Sequence, residues 1–200
     1  VAKLYLIPLF VHESDSIPGL ANKILGKLAK TIFISFASSE KYFKPGKTVL
    51  TGNPVRKELV SGDRSAAMEK FGLNPNLKTV LVAGGSQGAQ RINRIILDSL
   101  VLLVKDFQII HQCGESQFQS VKNETEKIIK EGEGEYADAV KNNYKLYPFF
   151  DANDMALAYV AADIIISRAG ASNISEIAML GKPAIIIPIT NSSSDHQLEN

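Results

Sequence analysis

The amino-acid sequence predicts an α/β protein in which a parallel sheet is covered by helices on both faces. Two observations carry this. β-Branched apolar runs alternate with amphipathic stretches along the chain, and most runs are continuously apolar, as strands buried on both faces are. The glycine-rich and polar stretches follow the strands. In open α/β sheets, ligands bind at those carboxyl ends.

The elements follow in order. "PLFV" (8–11) reads as a short buried strand. "GLANKILGKLAK" places Leu20, Ile24, Leu25 and Leu28 on one helical face. "TIFISFA" (31–37) is a strand, and "KTVLTGNPV" is a strand broken by a Gly-Asn-Pro turn. "RSAAMEKFGL" is a short helix with Gly72 as its natural stop. Then come a strand at 79–84, a helix at 89–104, a strand at 107–113 and a helix near 117–130. The polar stretch 130–143 shows no apolar period and reads as a solvated surface segment. "YKLYPF" is a strand, "NDMALAYVAA" a helix, "DIIIS" a strand, "SNISEIAMLG" a helix and "PAIIIPI" a strand.

With 45% apolar and 22% charged residues, the composition is that of an ordinary globular protein. A net charge of +1 argues against a dedicated nucleic-acid binder. The lone cysteine, Cys113, excludes an internal disulfide and fits a reducing compartment. No run approaches the roughly 18 to 20 apolar residues of a membrane span, and no signal peptide is visible. The chain opens on Val1 and closes on "DHQLEN", a first helical turn with no terminator. It therefore reads as an internal piece of a longer protein. Pro54 marks the hinge, which predicts one domain at 1–52 and a second at 53–200.

Four stretches carry chemistry. In "VAGGSQGAQRIN" a strand hands over to a helix through Gly84, Gly85, Ser86, Gln87 and Gly88. Such a turn offers free backbone N–H groups and the positive end of a helix, which suit a phosphate. It is neither a P-loop nor G-x-G-x-x-G, and a tight turn needing positive φ is the alternative. In "ISRAGASNISE", Gly170 turns the chain into a helix near Ser172 or Asn173. Ser172 or Asn173 with Ser175 or Glu176 matches a capping arrangement; alternatively the helix faces an anion and Glu176 accepts two ribose hydroxyls. Arg56 in "TGNPVRKEL" is either solvent-exposed or a nucleotide contact. Gln197 in "SSSDHQLEN" suits sugar hydroxyls or a polar cap. The three histidines share no metal-ligand spacing, so no metal site is assigned.

Taken together, "HESDSIPGLAN", "TGNPVR", "GGSQGAQRIN", "HQCGES", "SRAGASNISEIAMLGKPAIIIP" and "DHQLEN" resemble the MurG family. These bacterial enzymes add N-acetylglucosamine (GlcNAc) from UDP-GlcNAc to lipid I, making lipid II for peptidoglycan. The resemblance implies a GT-B fold, built of two Rossmann-like domains with the donor in the cleft. On that reading 1–52 is the last part of the acceptor domain, and 53–200 is the donor domain, truncated at its end. The resemblance further implies that Arg56 and Ser86 contact the diphosphate part of the nucleotide, above the backbone of Gly84, Gly85, Gly88 and Gly170. The backbone of Phe150 would meet the uracil. Ala171, Ser172, Asn173, Ile174, Ser175 and Glu176 would form a helix start beside the phosphates, with Glu176 on the ribose. Gln197 would contact the GlcNAc hydroxyls.

Two departures stand out. The family has His-Glu-Gln-Asn where this chain has "HESD", so Asp15 replaces a sugar-contacting Asn. An ionised Asp accepts hydrogen bonds but cannot donate. "FFDANDM" is also longer than the usual "FIDDM". The family's glycine-rich loop, with its proposed general-base histidine, has no counterpart in these 200 residues, so no catalytic residue is assigned. The implied reaction is inverting transfer without metal or cofactor, on the cytoplasmic face of the bacterial inner membrane. Its partners are the UDP-GlcNAc donor, the lipid I acceptor and the membrane surface, with no nucleic acid. No strongly apolar amphipathic patch for that membrane is legible here, which points to a surface elsewhere. Rival readings are another GT-B lipid glycosyltransferase, a non-catalytic UDP-sugar-binding module, and a Rossmann-like domain for a different nucleotide.

Overall fold

The computed structural model describes residues 5–60, 62–84, 89–132, 134–188 and 196–200. All strand pairing among them is parallel. The chain divides into two compact units: Val1–Val55 with Ala169–Met179 and Pro188–Asn200, and Arg56–Arg168 with Leu180–Ile187.

The larger unit holds a five-stranded sheet. Its strands are β4 (Lys78–Ala83), β5 (Phe107–Gln112), β6 (Tyr144–Tyr147), β7 (Ile164–Arg168) and β8 (Ala184–Ile187), in the order β6-β5-β4-β7-β8. β4 and β5 each run five consecutive buried residues after an outer first one. Only a strand covered on both faces does this, so the apolar runs of β4 and β5 read correctly, whereas burial alternates in β7 and β8 is largely exposed. The covering helices are α2 (Arg64–Phe71), α3 (Gln90–Leu103), α4 (Glu115–Glu131), α5 (Glu135–Asn143) and α6 (Ala152–Ala161). α3 buries Ile92, Ile96, Leu97 and Leu100 at helical spacing. Asp63 caps α2 by accepting the Ser65 N–H at 2.9 Å. Gly72 ends it in the left-handed region at φ 58°, the stop its sequence announces.

The smaller unit is built on β1 (Phe10–Glu13), β2 (Thr31–Ile34) and β3 (Thr48–Leu50), adjacent in that order. Val11, Ala29, Ile32 and Ile34 form its core with Leu9 and Phe43. It also contains α1 (Leu20–Leu28), α7 (Ala171–Leu180, all but its last residue) and the short α8 (His196–Glu199).

Two expectations change, and the fold settles a face the sequence left open. β1 lies two residues later than predicted, because pairing with Thr31–Ile34 fixes it at Phe10–Glu13. Residues 135–143 form a helix, not a solvated segment. The charges hide Ala137 and Val140, which both pack inward at i, i+3, and Asn143 Nδ2 bonds the Val104 carbonyl at 3.0 Å. Finally, the apolar stripe of α1 faces outward: Leu20, Ile24, Leu25 and Leu28 are 75, 54, 40 and 49% exposed. The helix seats Gly26 inward instead, where an added Cβ would come within 3.0 Å of the Phe43 ring and 3.2 Å of Ile32.

Candidate functional site

In the larger unit the strand order reverses between β4 and β7. β5 and β6 build outward from one side, and β8 from the other. The register sets Ala83 beside Ser167, and Ser167 Oγ donates to the Ala83 carbonyl at 3.2 Å. At such a switch point the connections leave the two carboxyl ends in opposite directions and open a crevice for a ligand. The segments leaving there are the two glycine-bearing stretches of the sequence, after Ala83 and after Arg168. Gly84 is buried, and its N–H donates to the Gln112 carbonyl at 3.4 Å. Gly85, Ser86 and Gly88 lie outside the described residues.

α7 begins at Ala171, directly after Gly170, so the expected start at Ser172 or Asn173 is corrected. The first helical bond runs from the Ile174 N–H to the Gly170 carbonyl at 3.0 Å. Gly170 needs no positive φ, and a Cβ there would meet nothing within 4 Å. Its glycine serves neither a left-handed turn nor local packing, and it leaves the backbone approachable. Ser175 does not cap. Its Oγ donates back to the Ala171 carbonyl at 2.8 Å. Ser172 is exposed, Asn173 and Ile174 are half-buried, and Ala171 and Glu176 are buried. The amino end of α7 therefore presents backbone N–H groups with the positive end of the helix dipole.

Arg56 is exposed and precedes a short 3-10 helix, Lys57–Val60. The Phe150 side chain packs edge-on against Phe71 at 5.7 Å and tilted against Tyr147 at 4.9 Å. With its ring fixed in the core, only its backbone is left for a ligand. Phe150 immediately precedes Asp151, which caps α6 by accepting the Asp154 N–H at 2.8 Å.

The second group of predicted residues surrounds the end of β1. The Asp15 N–H donates to Glu13 Oε1 at 3.0 Å, and Asn22 Nδ2 donates to Glu13 Oε2 at 2.9 Å. Buried Glu13 thus closes the turn that carries Asp15. Asp15 Oδ1 accepts from Asn200 Nδ2 at 3.0 Å. His12 Nε2 lies 3.2 Å from the Gly52 carbonyl and 3.3 Å from Ser35 Oγ. Gln197 is half-buried on α8.

Asp15, Ala171 through Glu176 and Gln197 fall in one compact unit; Arg56, Phe150 and Gly84 fall in the other. Sequence reasoning missed two connectors. Asn53 accepts from Ser35 Oγ at 2.9 Å and donates to the Ser14 carbonyl and to Ser175 Oγ, both at 3.3 Å. It thereby ties the ends of β1 and β2 to α7. Asn200 is the other. Each is an amide inside a quoted motif, "GNPVR" or "DHQLEN", and an amide that both donates and accepts is the signal that could have found them. Among the described residues, no three His, Cys, Asp or Glu side chains gather closely enough to hold a metal ion.

The glycosyltransferase family 28 C-terminal domain matches residues 79–200. The chain is 41% identical over 203 residues to a UDP-N-acetylglucosamine–N-acetylmuramyl-(pentapeptide) pyrophosphoryl-undecaprenol N-acetylglucosamine transferase of Flavobacterium psychrophilum, covering 100% of this chain and 51% of that one. It is 40% identical over 198 residues to the Bacteroides fragilis protein of the same name, covering 97% and 49%. The chain thus spans about half the length of the curated relatives it matches. Acinetobacter baumannii MurG superposes with a TM-score of 0.68 at 30% identity, over 98% of this chain and 50% of that one. A putative UDP-N-acetylglucosamine 2-epimerase of Listeria monocytogenes superposes at 0.65 with 12% identity, over 99% and 55%, a likeness of fold alone. The predicted class, Rossmann-like parallel sheets of GT-B type, stands.

Proposed function

Since the chain belongs to the family of glycosyltransferase family 28 C-terminal domains, we propose that it forms the donor-binding part of an inverting N-acetylglucosaminyltransferase. The donor is UDP-GlcNAc, the acceptor is lipid I and the product is lipid II for peptidoglycan. The observation that carries this reading is the coincidence at the switch point. Both glycine-bearing stretches leave the carboxyl ends of the adjacent strands β4 and β7, and the relatives named above are called N-acetylglucosamine transferases.

The roles follow from chemistry. Gly85, Ser86 and Gly88, the amino end of α7 from Gly170 to Ser175, and Arg56 hold the diphosphate, while the Gly84 N–H is already given to the Gln112 carbonyl. As UDP departs, charge grows on that diphosphate, and N–H groups fixed in advance stabilise it at no reorganisation cost. The Glu176 carboxylate takes the two ribose hydroxyls, one per oxygen. Backbone at Phe150 meets the uracil. Asp15 and Gln197 address the sugar. Residues 1–52 belong to the acceptor domain and 53–200 to the donor domain.

The enzyme works peripherally on the cytoplasmic face of the inner membrane. Here the sequence reading needs correction, because an apolar patch is present. Leu20, Ile24 and Leu28 are exposed on α1 beside Lys23 and Lys27, and Leu20 and Ile24 line a groove of about 620 Å³ with Lys44 and Lys47. Exposed aliphatic side chains ringed by lysines complement acyl chains and anionic headgroups. No helix among the described residues is long and apolar enough to cross a membrane.

Calorimetric titration with UDP-GlcNAc, UDP-glucose and NAD tests the donor reading. UDP-GlcNAc is expected to bind tightest; equal binding of NAD contradicts it.

A further inference from the structure

Asn200 uses every hydrogen-bonding position of its side-chain amide. Its Oδ1 accepts from the Ser16 N–H at 3.0 Å and from Ser16 Oγ at 2.9 Å. Its Nδ2 donates to Asp15 Oδ1 at 3.0 Å and to the Ala169 carbonyl at 3.2 Å. An amide has two N–H donors and two lone pairs, so the set is complete. The partners also fix its orientation. Turned over, the amide would aim N–H at the Ser16 N–H and oxygen at a carboxylate and a carbonyl.

Those four bonds join three segments: the turn after β1, the residue between β7 and Gly170, and the end of α8. The turn after β1 is braced from its other side, where Ser39 Oγ contacts the Asp15 and Ser16 carbonyls at 2.9 and 3.2 Å. Ser16 and Ser39 are both buried. One amide therefore sets where Asp15 and the helix of Gln197 stand, and its longest bond, at 3.2 Å, goes to the Ala169 carbonyl ahead of α7. Its bond to Asp15 runs from an N–H to a carboxylate, the stronger, charge-assisted kind.

We propose that Asn200 is the positioning residue of the sugar subsite, and that through Asp15 and Gln197 it sets how much the GlcNAc group adds to donor affinity. This rests on the donor reading above. Asn200 itself touches no substrate.

The experiment compares UDP-GlcNAc with UDP by calorimetry on the full chain. It uses Asn200→Ala and Asn200→Asp. Asn200→Asp sets a second carboxylate against Asp15 and deletes both donors. It is expected to lower UDP-GlcNAc affinity about tenfold or more while UDP affinity stays within about twofold. Asn200→Ala is expected to act in the same direction, and it decides the matter if thermal melting shows that Asn200→Asp does not fold. A parallel loss of UDP and UDP-GlcNAc affinity, or an unchanged ratio in both variants, overturns the proposal. If the unsubstituted chain binds no UDP, the donor reading itself falls.

Discussion

His111 Nε2 lies 3.0 Å from Asn93 Oδ1, with both side chains buried. Asn93 Nδ2 donates to the Cys113 carbonyl at 3.0 Å, and the Tyr144 hydroxyl lies 2.6 Å from His111 Nδ1. An amide oxygen only accepts, so Nε2 carries the hydrogen and Nδ1 takes the phenol O–H. The relay runs in one sense from β6 through β5 to α3, and it pins the first turns of α3 just beyond the glycine-rich stretch. It requires a neutral imidazole.

Burial pushes His111 down to about 3 from an ordinary 6.5. Above pH 6.5 both folded and unfolded chains hold His111 neutral, and its contribution does not vary. Between 6.5 and 3 the unfolded chain binds a proton that the folded chain refuses, so stability falls with pH by about 1.4 kcal/mol per unit. Urea denaturation at pH 7.5 and 5.0 should show a loss of about 2 kcal/mol from this group. His111→Asn should remove that part of the slope while lowering stability at pH 7.5.

Glu176 is buried at the second turn of α7. Glu176→Ala is expected to weaken UDP binding by about ten- to a hundredfold, since it removes charge-assisted acceptors from two hydroxyls. A 2′,3′-dideoxy analogue of UDP should bind wild type and variant alike. Calorimetry with both ligands checks this.

Arg56→Ala should weaken UDP and UDP-GlcNAc equally, because it acts on the diphosphate they share, and should flatten the salt dependence of binding. Arg56→Lys should recover little, since a lysine lacks the planar fork that matches a phosphate. Titrations at low and high ionic strength report both effects.

The lysines beside the α1 stripe predict binding to anionic vesicles. Lys23→Glu with Lys27→Glu should weaken binding to phosphatidylglycerol vesicles, read by sedimentation, by about a thousandfold, at about 1 kcal/mol per charge removed and again per charge reversed. Leu20→Ser with Ile24→Ser should reduce it at every salt concentration. Neutral vesicles should bind all forms weakly.

What the sequence discloses depends on the kind of force at work. β4 and β5 were legible because burial on both faces leaves a continuous apolar run, and α2 because Asp63 and Gly72 are local signals. α5 was not, since Ala137 and Val140 are only two apolar contacts in a charged helix. The outward stripe of α1 was also hidden: amphipathicity specifies a face, and the seating of Gly26 on Phe43 decides which way it points. For the proposed site, the glycine-bearing segments after β4 and β7 stand out in the sequence by composition and position. Asn53 and Asn200 do not, because their partners lie up to 122 and 185 residues away. Only the fold brings such partners together.

On the proposed function, the two segments leaving β4 and β7 hold a UDP-sugar diphosphate. A crystal structure of the full chain with UDP-GlcNAc decides this. The diphosphate is expected against residues 84–88 and the first turn of α7, with both ribose hydroxyls on Glu176 and the uracil on the backbone at Phe150. A nucleotide bound elsewhere, or one whose ribose leaves Glu176 untouched, would contradict it.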